Sequence, residues 1–229
     1  MRRTALSSLV LWGLLPFLAG AEAPASGPRE AGGSVSGGDL VECANLIYAG
    51  TKSSVCFSEK FLSTVAAETT VTTSRKFKPV KLSDAELFRY PFAVMTGEGG
   101  FTLLEEERRQ LARYLERGGF LLASAGCSSK AWDESFRREV AAIFPNRSLV
   151  RIPLDHAVFR TVYDIKTLKT KGPEAHLEGL AIGDKLVLIY SPDGLNDTHS
   201  LHGCCCCGGN EIVNSQQVNV NILTYALLQ

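Results

Sequence analysis

One cysteine stands where many enzymes place a nucleophile. Cys127 lies in the segment AGCSS, directly after the short apolar run FLLA and before apolar residues at helical spacing. At a strand-to-helix turn of this kind, the helix N-terminus favours the thiolate, which is the form that attacks amide and ester carbonyls. The position makes Cys127 a candidate thiol nucleophile, and the alternative is a buried or loop cysteine without a catalytic role.

Two histidines have the chemistry to act as the base of such a thiol. His156 follows Asp155, a carboxylate that would orient or charge the ring, in the segment LDHAVF. His176 lies two positions before Glu178. A general base has to lie within hydrogen-bond reach of its nucleophile, so the sequence leaves both histidines as candidates. For His156 the alternative is a loop histidine that binds the backbone and fixes a turn.

A second cluster is rich in metal-binding side chains. Its members are His199, His202, Cys204, Cys205, Cys206 and Cys207. Imidazoles and thiolates are ligands for zinc or copper(I), so a metal site is one hypothesis. Because adjacent residues point in different directions, a single tetrahedral ion would take only two of the four neighbouring cysteines.

Disulfide bonds are the competing explanation for the same cysteines. Thiols pair in the oxidising compartments outside the cytosol, and Cys43 and Cys56 are possible partners for the cluster. The chain has seven cysteines in all, so they cannot pair completely within a monomer. Spacing does not reveal the connectivity.

Residues 1–23 predict an export signal. Arg2 and Arg3 precede an apolar run over residues 5–19, and small residues at Ala19, Ala21 and Ala23 follow. The run is shorter than the roughly 20 residues that cross a bilayer as a helix, so it is typical of a cleaved signal peptide. An uncleaved N-terminal anchor is the alternative. We expect a mature chain without a transmembrane span, exported to the periplasm or the extracellular space.

The charge balance excludes one class of partner. The chain carries 24 Lys and Arg residues and 24 Asp and Glu residues, so it lacks the basic excess that neutralises phosphates. Nucleic acid is therefore excluded as the main partner, which leaves an unidentified ligand or protein.

The remaining sequence predicts one α/β domain. Residues 24–38 are rich in Pro, Gly and Ser and predict a flexible linker, and residues 39–229 then form the folded unit. Short apolar strands alternate with helical patterns from residue 44 to residue 144, which favours a parallel sheet covered on both faces. One helix is predicted to begin with a capping box of Thr102 and Glu105. In open sheets of this class, ligands bind beyond the carboxyl ends of the strands, here residues 97–101, 124–129 and 191–197.

Several short motifs occur in an order that resembles one protein family. They are LIY (46–48), YPF (90–92), MTG (95–97), YL (114–115) with GGF (118–120), DHAVF (155–159) and YDI (163–165). Together they resemble the domain of unknown function 4159 family over nearly all of residues 39–229. The resemblance implies a flavodoxin-like three-layer sandwich with a mainly parallel sheet, similar to class I glutamine amidotransferase domains, and it implies no established activity.

The amidotransferase signature itself is incomplete. Those enzymes carry their nucleophile in a Gly-x-Cys-x-Gly turn, and here Ala125 and Ser129 replace both glycines. Their His-x-Glu pair has a formal match in His176 and Glu178. We therefore predict a non-catalytic binding or interaction module. The alternatives are a thiol-dependent amide or ester hydrolase using Cys127 and a metal-binding protein using the His199 to Cys207 cluster, so the sequence leaves open whether the protein is an enzyme.

Overall fold

The structure is a computed structural model that describes residues 40–53, 57–197 and 210–229. Seven strands of the described residues form one sheet: β1 (Cys43–Ile47), β2 (Lys78–Lys81), β3 (Phe92–Gly97), β4 (Phe120–Ala125), β5 (Val150–Arg151), β6 (Glu178–Ile182) and β7 (Lys185–Ser191). The α-helices of the same residues are α1 (Lys60–Glu68), α2 (Glu105–Glu116), α3 (Lys130–Ile143) and α4 (Ser215–Leu227). Short 3₁₀ turns cover Ala85–Arg89, Gly126–Ser128 and Ala157–Arg160.

The sheet is mostly parallel, in the order β2-β1-β3-β4-β7-β6-β5. The first five strands in this order are parallel neighbours, whereas β6 pairs antiparallel with both β7 and β5. Counted along the chain, the five parallel strands have the order 2-1-3-4-5, which is the order of flavodoxin-like folds. The carboxyl ends of β1, β3, β4 and β7 consequently meet at one edge of the sheet.

Two hydrophobic cores lie on opposite faces of the sheet. Alternate residues of β3 point to opposite faces, so Ala93 and Met95 join one core while Phe92 and Val94 join the other. Helices α2 and α3 cover the first core, and α1 and α4 cover the second. The predicted α/β architecture with a mainly parallel sheet is confirmed.

The predicted start of α2 was wrong. The helix begins at Glu105 with Leu104 as its N-cap residue, so Thr102 does not cap it. A carboxylate inside the helix, Glu107, accepts the Leu104 amide at 2.8 Å and also the amides of Ala49 and Gly50 at 3.0 and 3.2 Å. The start of the helix is thus fixed by a tertiary contact with the turn after β1.

None of the helices in the described part of the chain is long and apolar enough to cross a membrane.

Candidate active site

The candidate site is built around the turn between β4 and α3. Cys127 and Ser128 both have left-handed backbone conformations, with φ of 52° and 53°. For a residue with a side chain, such a conformation costs of order 1–3 kcal/mol, and it persists only where the surroundings impose it. Here the Ser128 hydroxyl donates to the Asp193 carbonyl at 2.6 Å and accepts the Asn210 amide at 2.7 Å. The turn that was predicted from sequence is therefore a strained elbow held from two other segments.

Close packing also fixes the elbow from the side of β3. A Cβ atom on Gly126 would lie 3.1 Å from the Gly97 carbonyl and 3.2 Å from Cγ of Glu98. Only glycine lets the loop after β3 approach this closely. Ser129 completes the turn as the N-cap of α3, because its hydroxyl accepts the Trp132 amide at 3.4 Å.

Two carboxylates contact Cys127 itself. The thiol lies 3.2 Å from Oε1 of the exposed residue Glu98, in the geometry of an S–H donor. The backbone N–H of Cys127 donates to Oε1 of Glu211 at 3.3 Å. A third carboxylate, Asp193, accepts the Asn210 side-chain amide at 3.1 Å. The half-exposed thiol thus lies at an acidic part of the sheet edge.

A fully buried polar network forms the floor beneath the elbow. The Ser124 hydroxyl donates to Oδ1 of Asn196 at 2.7 Å and accepts the Leu195 amide at 2.8 Å. Nδ2 of Asn196 donates to the Thr96 hydroxyl at 3.2 Å. The side chains come from β3, β4 and the loop after β7, so these hydrogen bonds lock the ends of three segments together.

An aromatic pair supports the same floor. The Trp132 indole N–H donates to the Tyr48 hydroxyl at 2.7 Å, and that hydroxyl donates to the Thr96 carbonyl at 3.0 Å. Burial raises the pKa of Tyr48 to about 12, although the hydrogen bond from Trp132 acts in the opposite direction. Tyr48 therefore remains a neutral structural donor at physiological pH.

The structure brings His176 and Glu178 together at the start of β6. Nε2 of His176 lies 2.9 Å from Oε1 of Glu178, and Arg137 holds both oxygens of the same carboxylate at 2.7 and 2.8 Å. Burial alone would raise the pKa of Glu178, but the hydrogen bonds from Arg137 and then His176 outweigh it, so the pKa is lowered. The His176 amide also donates to Asp193 at 3.3 Å, which links this pair to the segment that holds the elbow.

His156 lies elsewhere in the structure. Its Nδ1 accepts the Val158 amide at 3.2 Å, and its ring packs edge-on against Tyr225 of α4 with centroids 5.5 Å apart. The pKa of His156 is lowered, chiefly by burial. The charge of Asp155 opposes this shift, and the charge of Arg160 adds to it. The ring thus caps the 3₁₀ turn Ala157–Arg160 and packs against α4.

The remaining cysteines and the predicted metal ligands fall into two groups, one within the described residues and one outside them. Cys43 is buried in β1, where desolvation and then Glu42 raise its pKa to about 12, so it stays protonated. His199, His202, Cys56 and the run from Cys204 to Cys207 lie outside the described residues. Within residues 40–53, 57–197 and 210–229, no three His, Cys, Asp or Glu side chains are arranged to hold a metal ion.

Sequence reasoning missed most of the groups around the elbow. The sequence placed residues 97–101 and 191–197 at this edge of the sheet, but it assigned no role to Glu98 or Asn196. Nothing in the spacing pointed to Glu211 or Asn210, because they precede α4 and reach the elbow from more than 80 positions away. The predicted strands were the available clue that the loops following them would lie close together at one edge of the sheet.

The observed fold is an α/β domain of the flavodoxin-like class with its candidate site at the carboxyl edge of the sheet. A comparison with family sequence profiles matches residues 43–227 to the family described as Domain of unknown function (DUF4159). The match covers most of the chain, so the protein belongs to this family, as its short motifs predicted. A comparison with curated proteins gives no match.

Proposed function

We propose that this protein is an exported, non-catalytic binding domain on a glutamine amidotransferase-like scaffold. Its ligand docks at the elbow of Cys127 through a cationic group or a group rich in hydrogen-bond donors. One observation carries the proposal: carboxylates from two distant segments contact Cys127, Glu98 at the sulfur and Glu211 at the backbone N–H.

The two carboxylates argue against acyl transfer. A thiol nucleophile reacts as the thiolate, and a carboxylate 3.2 Å from the sulfur opposes that negative charge. A tetrahedral intermediate also needs N–H donors aimed at its oxyanion. Here the N–H of Cys127 is directed at a carboxylate oxygen of Glu211. The elbow is therefore better suited to holding positive charge than to stabilising a developing negative charge.

The same groups favour a cationic ligand. Glu98 and Glu211, from the loop after β3 and the segment before α4, contact Cys127 directly. The Asp193 carboxylate, from the loop after β7, accepts the side-chain amide of Asn210, whose backbone N–H donates to the Ser128 hydroxyl. The site lies beyond the carboxyl ends of parallel strands, where ligands bind in open α/β sheets. Backbone strain concentrates at such functional positions, which supports a role for the elbow beyond connecting β4 to α3.

A thiol-dependent hydrolase is the second candidate, and the strained elbow is the observation that favours it. A nucleophile on a strand-to-helix turn is exposed by this kind of left-handed conformation. The pair of His176 and Glu178 would then supply the base and its orienting carboxylate, as in the amidotransferase pattern. Metal binding by His199, His202 and the adjacent cysteines stays a prediction, and so do the disulfide alternative and zinc or copper(I) as the ion.

The binding proposal is tested by thermal shift with a panel of small primary amines and amino sugars, each matched with a carboxylic acid of similar size. Amines are expected to raise the melting temperature of the wild-type protein, and the acids are not. Glu98→Gln and Glu211→Gln should lose this response, whereas Glu134→Gln, an exposed carboxylate on α3, should keep it. A response to the acids alone, or an equal response in all variants, would refute the proposal.

Turnover and export are tested separately. Hydrolysis of an amide or ester that Cys127→Ser abolishes would establish the hydrolase instead. For export, the protein recovered from the periplasm or the medium is expected to begin at Pro24, and a chain retained in the membrane with Met1 intact would contradict it.

A further inference from the structure

The two edge strands of the sheet differ in how they are protected. Strand β2 carries Pro79, which has no N–H to donate, between two exposed lysines at Lys78 and Lys81. Proline and lysine on an edge strand are common devices against pairing with another chain. Strand β5, at the other edge, has neither, and its Val150 is 62% exposed. Within the ranges that the structure describes, the β5 edge therefore lacks both of these devices, although the strand is only two residues long.

The backbone of β5 has a donor and an acceptor directed outward. The Ile152 amide donates to the Leu177 carbonyl at 2.8 Å, and Arg151 lies opposite Glu178. In an antiparallel ladder the hydrogen-bonded pairs alternate. The N–H and C=O of Arg151 therefore face away from β6, toward the side where a further strand would lie.

Two clefts border this edge. One has a volume of about 350 Å³ and includes Val150, Gly179, Ala181 and Leu186 in its lining. The other has a volume of about 310 Å³ and includes Leu154, Leu168 and Leu177. Both clefts share the segment from Arg151 to Pro153, so they adjoin each other beside β5. An extended segment of about six residues spans roughly 20 Å, because a strand rises roughly 3.3 Å per residue.

The charges beside the edge indicate the chemistry of the occupant. Arg147 donates to the Ala181 carbonyl at 3.1 Å, and no carboxylate within the described ranges forms an ion pair with it. Arg151 pairs with Glu174 at 3.0 Å, but both side chains are mostly exposed, and such pairs are weak and easily exchanged. The edge therefore presents positive charge next to apolar clefts.

We infer that β5 is a docking edge for an extended segment of a partner protein with apolar side chains and an acidic residue. The segment adds a strand to the sheet: its backbone pairs with Arg151, its apolar side chains enter the two clefts, and its carboxylate meets Arg147. Main-chain pairing of this kind supplies affinity while the side-chain clefts supply specificity. This surface is separate from the elbow of Cys127, so either proposal can fail without the other.

The test measures binding of synthetic hexapeptides by fluorescence polarisation. The peptides carry valine or isoleucine at alternate positions, with Asp, Ser or Lys between them. Asp peptides are expected to bind the wild-type protein at least about tenfold more tightly than Lys peptides, the factor that corresponds to 1.4 kcal/mol. Arg147→Gln should remove that preference. Val150→Lys should abolish binding, and the matched control Leu104→Lys, at an apolar residue 56% exposed elsewhere, should not.

A pair of variants isolates the backbone contribution. Arg151→Pro removes the outward N–H while keeping an extended conformation, and Arg151→Ala keeps the N–H. Binding should be lost in the first and retained in the second, with circular dichroism confirming that both fold. Absence of binding to every peptide would overturn the inference. It would also be overturned by sedimentation showing a dimer that Val150→Lys dissociates, because the occupant would then be a second copy of this chain.

Discussion

Oε1 of Glu98 lies 3.2 Å from Sγ of Cys127, although the two residues are 29 positions apart in sequence. The contact exists because β3 and β4 are parallel neighbours whose carboxyl ends lie side by side, with Gly97 paired to Ala125. Because Gly126 has no Cβ atom, the loop after β3 and the turn after β4 can come into contact. This contact gives the elbow its acidic character.

Replacing Cys127 by glycine should stabilise the fold. A side chain in the left-handed region costs roughly 1–2 kcal/mol, and the greater freedom of glycine in the unfolded chain offsets part of the relief, so we expect a gain of about 0.5–1 kcal/mol. Urea unfolding measures it. Ala141→Gly, at an exposed position of α3, is the control and should lose about 1 kcal/mol. A loss of stability in Cys127→Gly would show that the elbow is not strained.

Gly97→Ala should destabilise the floor of the site. Its Cβ would fall on the Tyr48 hydroxyl and lie 3.0 Å from Nε1 of Trp132, so the buried pair would have to move. Overpacking of this kind costs about 1–3 kcal/mol. Gly100→Ala, in the loop that follows β3, is the matched control, because the nearest contact of its Cβ would be an ordinary 3.6 Å to the Ser135 hydroxyl. Equal melting temperatures for the two variants would contradict the packing described here.

Glu178→Gln should destabilise the protein in a pH-dependent manner. The side chain of Glu178 is 10% exposed, and its replacement weakens the bidentate pair with Arg137. Because Arg137 is 40% exposed and keeps its pair with Asp133 at 2.7 Å, we expect a cost of about 1–2 kcal/mol at pH 7. The pKa of Glu178 is lowered on folding from its ordinary value of 4.5. Its ionic stabilisation is therefore fully present above pH 4.5 and is lost as the pH falls through the folded pKa.

The free energies of unfolding of the wild-type protein and Glu178→Gln should accordingly differ most near neutral pH and become equal in acid. Glu134→Gln, which alters an exposed pair on α3, should follow the wild type at every pH. A difference between wild type and Glu178→Gln that stays constant from pH 7 to the acid limit would mean that the charge of Glu178 contributes nothing to stability.

His156 should titrate below its ordinary pKa of 6.5, because burial disfavours the imidazolium. With a lowered folded pKa, the unfolded chain binds more protons, so the contribution of His156 to stability falls as the pH drops below 6.5. NMR titration of the ring measures the shift directly. The Val158 amide donates to Nδ1, so the neutral ring should carry its proton on Nε2. A pKa above 6.5 or a proton on Nδ1 would contradict this environment.

The sequence predicted the scaffold better than the site. Apolar runs such as residues 92–95 and 120–123 are buried on both faces, and their alternation with helices was enough to place Cys127 at the carboxyl edge of a parallel sheet. The start of α2 was missed because Glu107 accepts amides from the turn after β1, a tertiary contact that overrides the local capping signal.

The partners of Cys127 were beyond sequence reasoning for a similar reason. Glu98 and Glu211 reach it from loops whose paths depend on how β3, β4 and α4 pack, and no spacing rule relates them to the cysteine. The pair of His176 and Glu178 was visible as a short motif, but its binding to Arg137 depends on how α3 packs beside β6.

The rate at which iodoacetamide alkylates Cys127 at neutral pH, followed peptide by peptide with mass spectrometry, tests the central claim most directly. Because the Glu98 carboxylate opposes a negative charge on the sulfur, the wild-type residue should react no faster than a free cysteine, and Glu98→Gln, which removes that charge, should react faster than the wild type. Labelling of the wild-type protein much faster than free cysteine, slowed by His176→Ala and accompanied by loss of amide or ester turnover, would contradict the account and identify a thiol hydrolase.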